Sequence, residues 1–347
     1  MKILKLFLLL TLLSATTCDH EEDYNAEPTK SIWISDALFS LSQNEYPNIK
    51  AIAWWHENFD NSQLRIDSSS ESLLTYQNKI ANPMFVTTPV FANNKLQTPN
   101  QGIYHSAYPD FGGTEDVVST TAITDFESLA GKPIVWAYFS NNWYNNIQFP
   151  TAAVNTISNA GKVPFIRIMP RTNFDEGAID PNYSLANIIN GNFDAELNAW
   201  AAAAASTNIP LLAEFGTEIN GDWFPWSGLY NGADNTAYGD PNLADGPERF
   251  RDAYRHVIDI CNANGATNIT WFFHVNASSE PVNNWNTIAN YYPGDNYIDW
   301  LGVSVYGPQE ANEYYDSFRD ILTPAYQELT SLSNKPIAVL EFAITEL

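Results

Sequence analysis

The sequence is poor in cysteine and in basic residues, and each shortage excludes a class of protein. Its two cysteines, Cys18 and Cys261, are too few for a disulfide-rich secreted scaffold. Lysine and arginine number 16 against 40 aspartate and glutamate residues, for a net charge of −24. Such an acidic chain, with no basic run, repels phosphate backbones. This excludes nucleic acid as a partner and disfavours anionic polysaccharides.

Several motifs that bind cofactors are also missing. The sequence has no phosphate-binding loop, no glycine-rich dinucleotide turn, no zinc-ligand spacing and no serine nucleophile elbow. The segment 231–246 carries Asp234, Asp240 and Asp245, but without the regular ligand spacing of a calcium loop. We therefore expect no cofactor and no metal.

The first 30 residues have the pattern of an export signal followed by a tether. Two lysines precede an apolar run over 6–13 that is too short to span a membrane, which predicts a signal peptide over 1–17. Cys18 follows a loose bacterial lipobox and is the predicted lipidation site. Residues 18–30 are acidic and polar, which predicts a flexible tether. We expect a lipid anchor in the outer membrane of a Gram-negative bacterium, at the cell surface, as the only membrane contact.

Aromatic residues and short apolar runs are abundant. Aromatics are 14 % of the chain and include 11 tryptophans, which suits either a large aromatic core or platforms for carbohydrate. Apolar runs alternate with helical patterns, and this order predicts a parallel sheet. The predicted strands are 49–55, 102–105, 133–139, 163–169, 211–217, 269–275, 297–306 and 337–342, and the clearest helices are 31–44, 69–81, 193–206 and 247–264. Residues 31–347 suffice for one domain of this kind.

Two of the predicted strands end in a glutamate. Glu218 stands where an apolar run breaks into Gly, Asn and Trp, and alternation along the strand predicts that it shares a face with Glu214 and Gly216. Glu341 stands at the end of the last run, 341 − 218 = 123 residues later, or about three βα units of ~40 residues. Two carboxylates on separate strands beside aromatic rings suit glycoside cleavage. A loop glutamate among aromatic core residues is the alternative for Glu218.

The sequence around these glutamates resembles that of glycoside hydrolase family 26 of clan A. The strings are E-I-N-G-D-W-F-P-W, Y-Y-P-G-D-N-Y-I-D-W-L-G-V-S-V-Y-G and V-L-E-F. The family contains β-mannanases, mixed-linkage β-glucanases and some β-1,3-xylanases. The resemblance implies a (β/α)8 TIM barrel with Glu218 as acid/base on strand four and Glu341 as nucleophile on strand seven. A retaining mechanism then needs carboxyl groups about 5–5.5 Å apart, with a lowered pKa for the nucleophile and a raised one for the acid.

Further site residues follow from the resemblance and from polar residues at strand ends. The clan implies that Tyr306 hydrogen-bonds the nucleophile and that Trp55 floors the subsite at the cleaved bond. The remaining candidates are His105 and His274 as ligands of sugar hydroxyls or as structural histidines, Arg167 as support for the carboxylates, and Asn220, Trp223 and Trp226 as cleft residues. Thr217 departs from the family, which usually has His before the acid/base, and from the clan, which has Asn.

The eighth strand is missing after Glu341. The resemblance implies that helix 31–44, strand 49–55 and helix 69–81 correspond to the family's segment after strand seven. The barrel is then circularly permuted, so that strand eight precedes strand one and residues 82–101 form the new join. A fragment of a tandem array is the alternative, but eight strands in one chain favour permutation.

These observations predict a monomeric, retaining endo-β-glycanase that cuts a neutral polysaccharide, either β-mannan or mixed-linkage β-glucan. The competing hypothesis is a non-catalytic glycan-binding lipoprotein on the same barrel, and Thr217 is the feature that keeps it open.

Overall fold

The computed structural model describes residues 29–59, 61–144, 146–310 and 312–347. The predicted signal peptide, Cys18 and most of the tether lie outside these residues. Within them, no helix combines the length and the apolar character needed to cross a bilayer. The helices are α1 (Lys30–Ser42), α2 (Ser70–Ile80), α3 (Thr120–Ala130), α4 (Thr151–Asn159), α5 (Leu185–Ile189), α6 (Asp194–Ser206), α7 (Asp245–Ala263), α8 (Ile288–Tyr291) and α9 (Phe318–Leu332).

Eight parallel strands form a closed ring with helices between them, which confirms the predicted (β/α)8 barrel. They are β1 (Ile49–Trp55), β2 (Ile103–Tyr108), β3 (Trp136–Asn142), β4 (Val163–Met169), β5 (Leu211–Phe215), β6 (Ile269–Asn276), β7 (Trp300–Tyr306) and β8 (Ile337–Ala343). Each pairs in parallel with its neighbours around the ring, with register shifts where β8 pairs with β1 and with β7. β2 runs past its predicted end at residue 105.

The first strand of the chain closes the ring. β1 pairs in parallel with β8, where Trp54 lies beside Phe342, and with β2, where Trp55 lies beside Tyr108. All its side chains except Lys50 are buried, as a strand covered on both faces requires. When Glu341 is counted on strand seven, as the resemblance implies, β1 takes the place of strand eight.

The barrel interior has two layers of different chemistry. The aromatic layer, toward the amino ends of the strands, packs rings with centroids 4.8 to 6.3 Å apart: Trp136, Phe165, Phe272 and Trp300. The polar layer lies toward the carboxyl ends: Tyr138, Arg167, Glu214, His274, Ser304 and Glu341. Strand side chains alternate between faces, so residues 138, 167 and 274 occupy the next inward positions after 136, 165 and 272.

The join 82–101 covers the amino-terminal end of the barrel. The Leu96 N–H donates to the Thr270 hydroxyl at 2.8 Å, and the Trp300 indole donates to the Leu96 carbonyl at 3.2 Å. Lys95 Nζ lies 2.8 Å from Asp299 Oδ2. The segment therefore connects α2 to β2 and also seals the ring beneath the aromatic layer.

Candidate active site

A tight turn after β5 positions Glu218. The strand ends at Phe215, so strand alternation does not carry on to residue 218, and the prediction of a shared face with Glu214 and Gly216 is wrong. Gly216 has a φ of +63°, and a Cβ there would meet the Trp226 ring at 2.9 Å. Glu218 itself has a φ of +50°, a strained conformation for a side chain of this type. Strain of this kind is concentrated at functional sites.

Glu218 is a buried carboxyl group with few donors. Its side chain is 7 % exposed, and the Trp223 indole donates to Oε2 at 2.9 Å. Burial raises its pKa, while the Ser304 hydroxyl, the Arg167 charge and the Trp223 N–H each oppose that rise. Such an environment favours the protonated acid.

Glu341, on β8, lies beside stronger hydrogen-bond donors than Glu218 does. Tyr306 donates its hydroxyl to Oε2 at 2.8 Å, and Arg167 Nη2 lies 3.1 Å from Oε1. Tyr138 Oη lies 3.4 Å from Oε1, but its one hydroxyl proton is directed to Glu214 Oε1, which is closer. Burial raises the pKa of Glu341 to about 7, with Arg167 lowering it and Glu218 raising it. The expected lowered pKa is therefore wrong, because desolvation outweighs the donors.

Ionisation of either carboxyl group makes ionisation of the other less favourable. The donors around the two groups then determine which one carries the negative charge. Glu341 receives a guanidinium and the Tyr306 hydroxyl, whereas Glu218 receives only neutral donors, an indole and a hydroxyl. Hydrogen bonds to the charged form favour that form. When the pair holds a single proton, these donors favour the proton on Glu218 and the charge on Glu341, the distribution that acid catalysis with a nucleophile needs.

Arg167 contacts three carboxylates inside the barrel. Its Nη1 donates to Glu115 at 2.5 Å, its Nη2 contacts Glu341, and its Nε lies 3.5 Å from Glu214. The guanidinium also lies over the Trp55 ring, 4.9 Å from the centroid. A buried arginine with three acidic neighbours stays charged. It therefore supplies the positive charge for the polar layer.

His274 lies below the cleft and is fully engaged. Its Nδ1 lies 2.8 Å from Glu214 Oε2 and 2.7 Å from the Thr217 hydroxyl, and its Nε2 lies 2.8 Å from the Ser304 hydroxyl. Burial would raise the pKa of Glu214, but contacts with His274, Arg167 and Tyr138 hold it below its ordinary value. His274 is thus structural rather than a ligand of sugar hydroxyls. Thr217 supports it instead of facing the cleft.

One group of described residues has the composition of a metal site. Glu214, His274 and Glu341 place one ligand atom each within 4.8 Å of one another. Arg167 and Tyr138 already contact the same carboxylate oxygens, and a guanidinium repels a cation. The group therefore fits a hydrogen-bond network better than a metal. In the loop 231–246, Asp240 and Asp245 accept backbone N–H groups, as turn residues do.

Both glutamates open into one cleft of about 870 Å³ at the carboxyl ends of the strands. This is the end of a TIM barrel where active sites form, and the volume suits a substrate cleft. Six of the predicted site residues line it: Trp55, Arg167, Glu218, Trp223, Tyr306 and Glu341. Trp55 is only 4 % exposed, because Tyr108 stacks on it at 4.0 Å and Arg167 lies over its ring. Little of its face remains open as a floor for a sugar.

Three further candidates do not line the cleft, and His105 takes the structural role that was its alternative. His105 points outward from β2, where it bonds Tyr76 at 2.9 Å and the Pro133 carbonyl at 2.9 Å. Asn220 is buried and donates to the backbone carbonyls of residues 276 and 278. Trp226 stacks on Phe224 inside the protein at 4.5 Å. Each polar group is satisfied by the protein, so none is available to a sugar.

Several cleft residues escaped the sequence analysis. Glu57 follows β1 by two residues, and the signal that identified Glu218, a carboxylate just past a strand, applies equally to it. Glu115, Phe59 and Phe174 come from long loops, where the sequence carries no comparable signal. Phe174 stacks on the Arg171 guanidinium at 3.7 Å, which holds an aromatic face at one end of the cleft.

Comparison with known proteins gives a consistent result. A family model described as glycosyl hydrolase family 26 matches residues 168–337. Endoglucanase H of Acetivibrio thermocellus is 31 % identical over 232 residues, which is 66 % of this chain and 23 % of that protein. A beta-1,3-xylanase of Alcaligenes sp. is 23 % identical over 217 residues, or 62 % of this chain and 39 % of the relative. The chain thus spans well under half the length of these curated relatives.

Solved structures that this chain resembles include two whose titles name GH26, both at low identity. GH26A from Muricauda sp. is 16 % identical with a TM-score of 0.46, covering 66 % of this chain and 81 % of that one. The GH26 beta-mannanase of Bacteroides ovatus is 16 % identical with a TM-score of 0.41, covering 90 % and 77 %. Together, the family match over the segment carrying Glu218 and the endoglucanase relative show that the chain belongs to glycosyl hydrolase family 26.

Proposed function

We propose that this protein is a retaining endo-β-glycanase that hydrolyses a neutral β-linked polysaccharide, β-mannan or mixed-linkage β-glucan. The observation that supports this most is the pair of buried carboxyl groups in one cleft, Glu218 with neutral donors only and Glu341 with a guanidinium and a tyrosine hydroxyl. Unequal donor sets separate an acid from a nucleophile.

In the first step, Glu341 attacks the anomeric carbon of the sugar. Its carboxylate oxygen forms the new bond while the glycosidic C–O bond breaks, and Glu218 gives its proton to the departing oxygen. Arg167 and Tyr306 hold the Glu341 carboxylate in place before the attack. The product is a glycosyl-enzyme ester on Glu341 and a free hydroxyl on the leaving chain.

In the second step, water releases the sugar. Glu218, now a carboxylate, takes a proton from water, and the resulting hydroxide oxygen attacks the anomeric carbon as the ester bond to Glu341 breaks. The Trp223 indole, which donates to Glu218 at 2.9 Å, stabilises the anionic form needed in this step. The pair ends with its original protons and charge.

Substitution of each glutamate tests the proposal. Glu341→Ala should lower kcat on the polysaccharide by roughly 10⁴-fold or more, and Glu218→Ala by about 10²- to 10⁴-fold. Glu218→Ala should lose less on an aryl glycoside with a good leaving group, because such a group departs without a proton. Undiminished hydrolysis in both variants would refute the proposal. Oligosaccharide binding without any product would favour the glycan-binding alternative.

The choice of polysaccharide depends on the cleft. Its lining includes Glu57, Glu115, Asp175, Glu280 and Glu313 against two arginines, so a neutral chain is favoured over a uronic acid polymer. The relative named endoglucanase H supports a β-glucan, and the relatives named beta-1,3-xylanases make xylan the necessary comparison. Product analysis on mannan, barley β-glucan and β-1,3-xylan distinguishes them.

We also propose that Cys18 carries the lipid that holds the enzyme at the cell surface. This proposal is supported by the lipobox-like sequence before Cys18 and the acidic run after it. Cys18→Ala should move the full chain from the membrane fraction to the soluble fraction of the producing cell. Unchanged membrane association would refute the anchor.

A further inference from the structure

One buried carboxyl group in the cleft has no part in the mechanism above. Glu57 is 7 % exposed and lines the cleft at the end of β1, beside Trp55. The chain fixes it there, because the neighbouring His56 donates its backbone N–H to the Tyr108 carbonyl at 3.0 Å and accepts the Ile66 N–H on Nδ1 at 3.1 Å. These contacts hold the backbone that leads into Glu57 at the end of β1.

Glu57 differs from its neighbour Glu115 in having no cation of its own. Glu115 pairs with Arg167 at 2.5 Å and accepts the Ser140 hydroxyl. Among the described residues, no lysine, arginine or histidine nitrogen lies within 4.0 Å of the Glu57 carboxyl group. The indole N–H of Trp55, buried without a regular hydrogen bond to described residues, is the one donor that acts on it.

The surroundings of Glu57 keep it neutral. Burial raises its pKa to about 8, and the charges of Glu115 and Asp110 add to that rise, while Arg167 and the Trp55 N–H oppose it. A protonated carboxyl group offers one O–H donor and one carbonyl acceptor side by side. A sugar hydroxyl is also a donor and an acceptor, so the two groups can exchange two hydrogen bonds without burying a charge.

We propose that Glu57 is a substrate-binding residue that recognises a hydroxyl group of a neutral sugar in its protonated form. Among the described residues the Trp55 N–H is the donor that acts on this carboxyl group, so a sugar hydroxyl would supply hydrogen-bond partners that the protein does not. Ionisation would place a second negative charge beside Glu115 and remove the donor. This inference rests on the proposed function, because it supposes that a glycan occupies the cleft.

The test is oligosaccharide binding by calorimetry between pH 6 and pH 9.5. The full chain carries Glu341→Gln to prevent hydrolysis and to remove the titration of that residue, and the probes are mannohexaose and a mixed-linkage gluco-hexasaccharide. With the Glu57 pKa at about 8, the neutral fraction falls roughly tenfold from pH 7 to pH 9, so the Kd should rise roughly tenfold. Adding Glu57→Gln should abolish that dependence and keep the pH 7 affinity, since the amide has a donor and an acceptor.

Two further variants complete the test. Glu57→Ala should weaken binding at pH 7 by about tenfold, with folding checked by thermal melting, and the glutamine variant shows whether the hydrogen bonds are responsible. Asp116→Asn, which removes an exposed charge near Glu115, should leave the pH dependence as in the parent. Parallel pH curves for Glu57→Gln and its parent, or full affinity in Glu57→Ala, would overturn the inference.

The outcome separates this inference from the proposed function. If the wild-type chain hydrolyses a glycan while Glu57→Ala binds normally, only the role of Glu57 is wrong. If neither oligosaccharide binds and no polysaccharide is cut, both proposals are wrong.

Discussion

The aromatic layer and the polar layer lie on the same strands, two residues apart, and have different roles in the barrel. Phe165 in the aromatic layer contacts Trp136, Tyr138 and Phe272 with centroids 4.6 to 5.8 Å apart. Arg167, the next inward residue, instead balances three carboxylates, one of which keeps a raised pKa. The first layer contributes stability, and the second gives up stability to hold buried acids in place.

Truncating a side chain of the aromatic layer should have the largest effect on the free energy of unfolding. Phe165→Ala removes a fully buried ring and leaves a cavity, which should lower the free energy of unfolding by about 3–5 kcal/mol. Chemical denaturation measures this, with Phe39→Ala on the exposed face of α1 as the matched control that changes it by less than about 1 kcal/mol. Equal losses in the two variants would show that the aromatic layer is not a main source of stability.

Replacing one acid of the polar layer with a neutral residue should instead raise the free energy of unfolding. The folded-state pKa of Glu341 is about 7 against an ordinary 4.5, so the folded chain favours the neutral acid. The cost of its charge is absent below the unfolded pKa, appears as pH rises from about 4.5 to about 7, and stays constant above that. Glu341→Gln should therefore stabilise the protein at pH 8 by up to about 3 kcal/mol and change little at pH 4.

Thermal unfolding of the Glu341→Gln variant at the two pH values provides the measurement. Asp116→Asn removes one exposed acidic charge and serves as the control for a general change in net charge. A gain of the same size at pH 4 and pH 8 would contradict the assignment of the cost to ionised Glu341.

The join beneath the aromatic layer should show the smallest effect. Lys95→Met removes a contact of 2.8 Å with Asp299, but both side chains are about one-third exposed, so the loss should not exceed about 1 kcal/mol. The difference from wild type should shrink in 1 M salt, which screens exposed pairs. A loss of several kcal/mol would mean that the join carries much of the stability attributed to the aromatic layer.

Sequence patterns predicted the strands well because burial on both faces leaves long apolar runs. The run 49–55 coincides with β1, and 163–169 coincides with β4. Glu218 and Glu341 were identified because a carboxylate after an apolar run breaks the pattern. His105 was misplaced for a related reason: apolar runs on both faces do not reveal which alternate residue points inward.

What the sequence determined by itself is the alternation of strands and helices, the two glutamates at strand ends, and the family, since each depends on residues close together along the chain. Only the tertiary structure decided that β1 closes the ring beside β8, that burial raises the pKa of Glu341, and that Glu57 faces the cleft with no cationic side chain of the described residues within 4.0 Å. Burial and electrostatic balance are sums over residues distant in sequence, such as Glu115, Arg167 and Tyr306, and a linear pattern does not contain those distances.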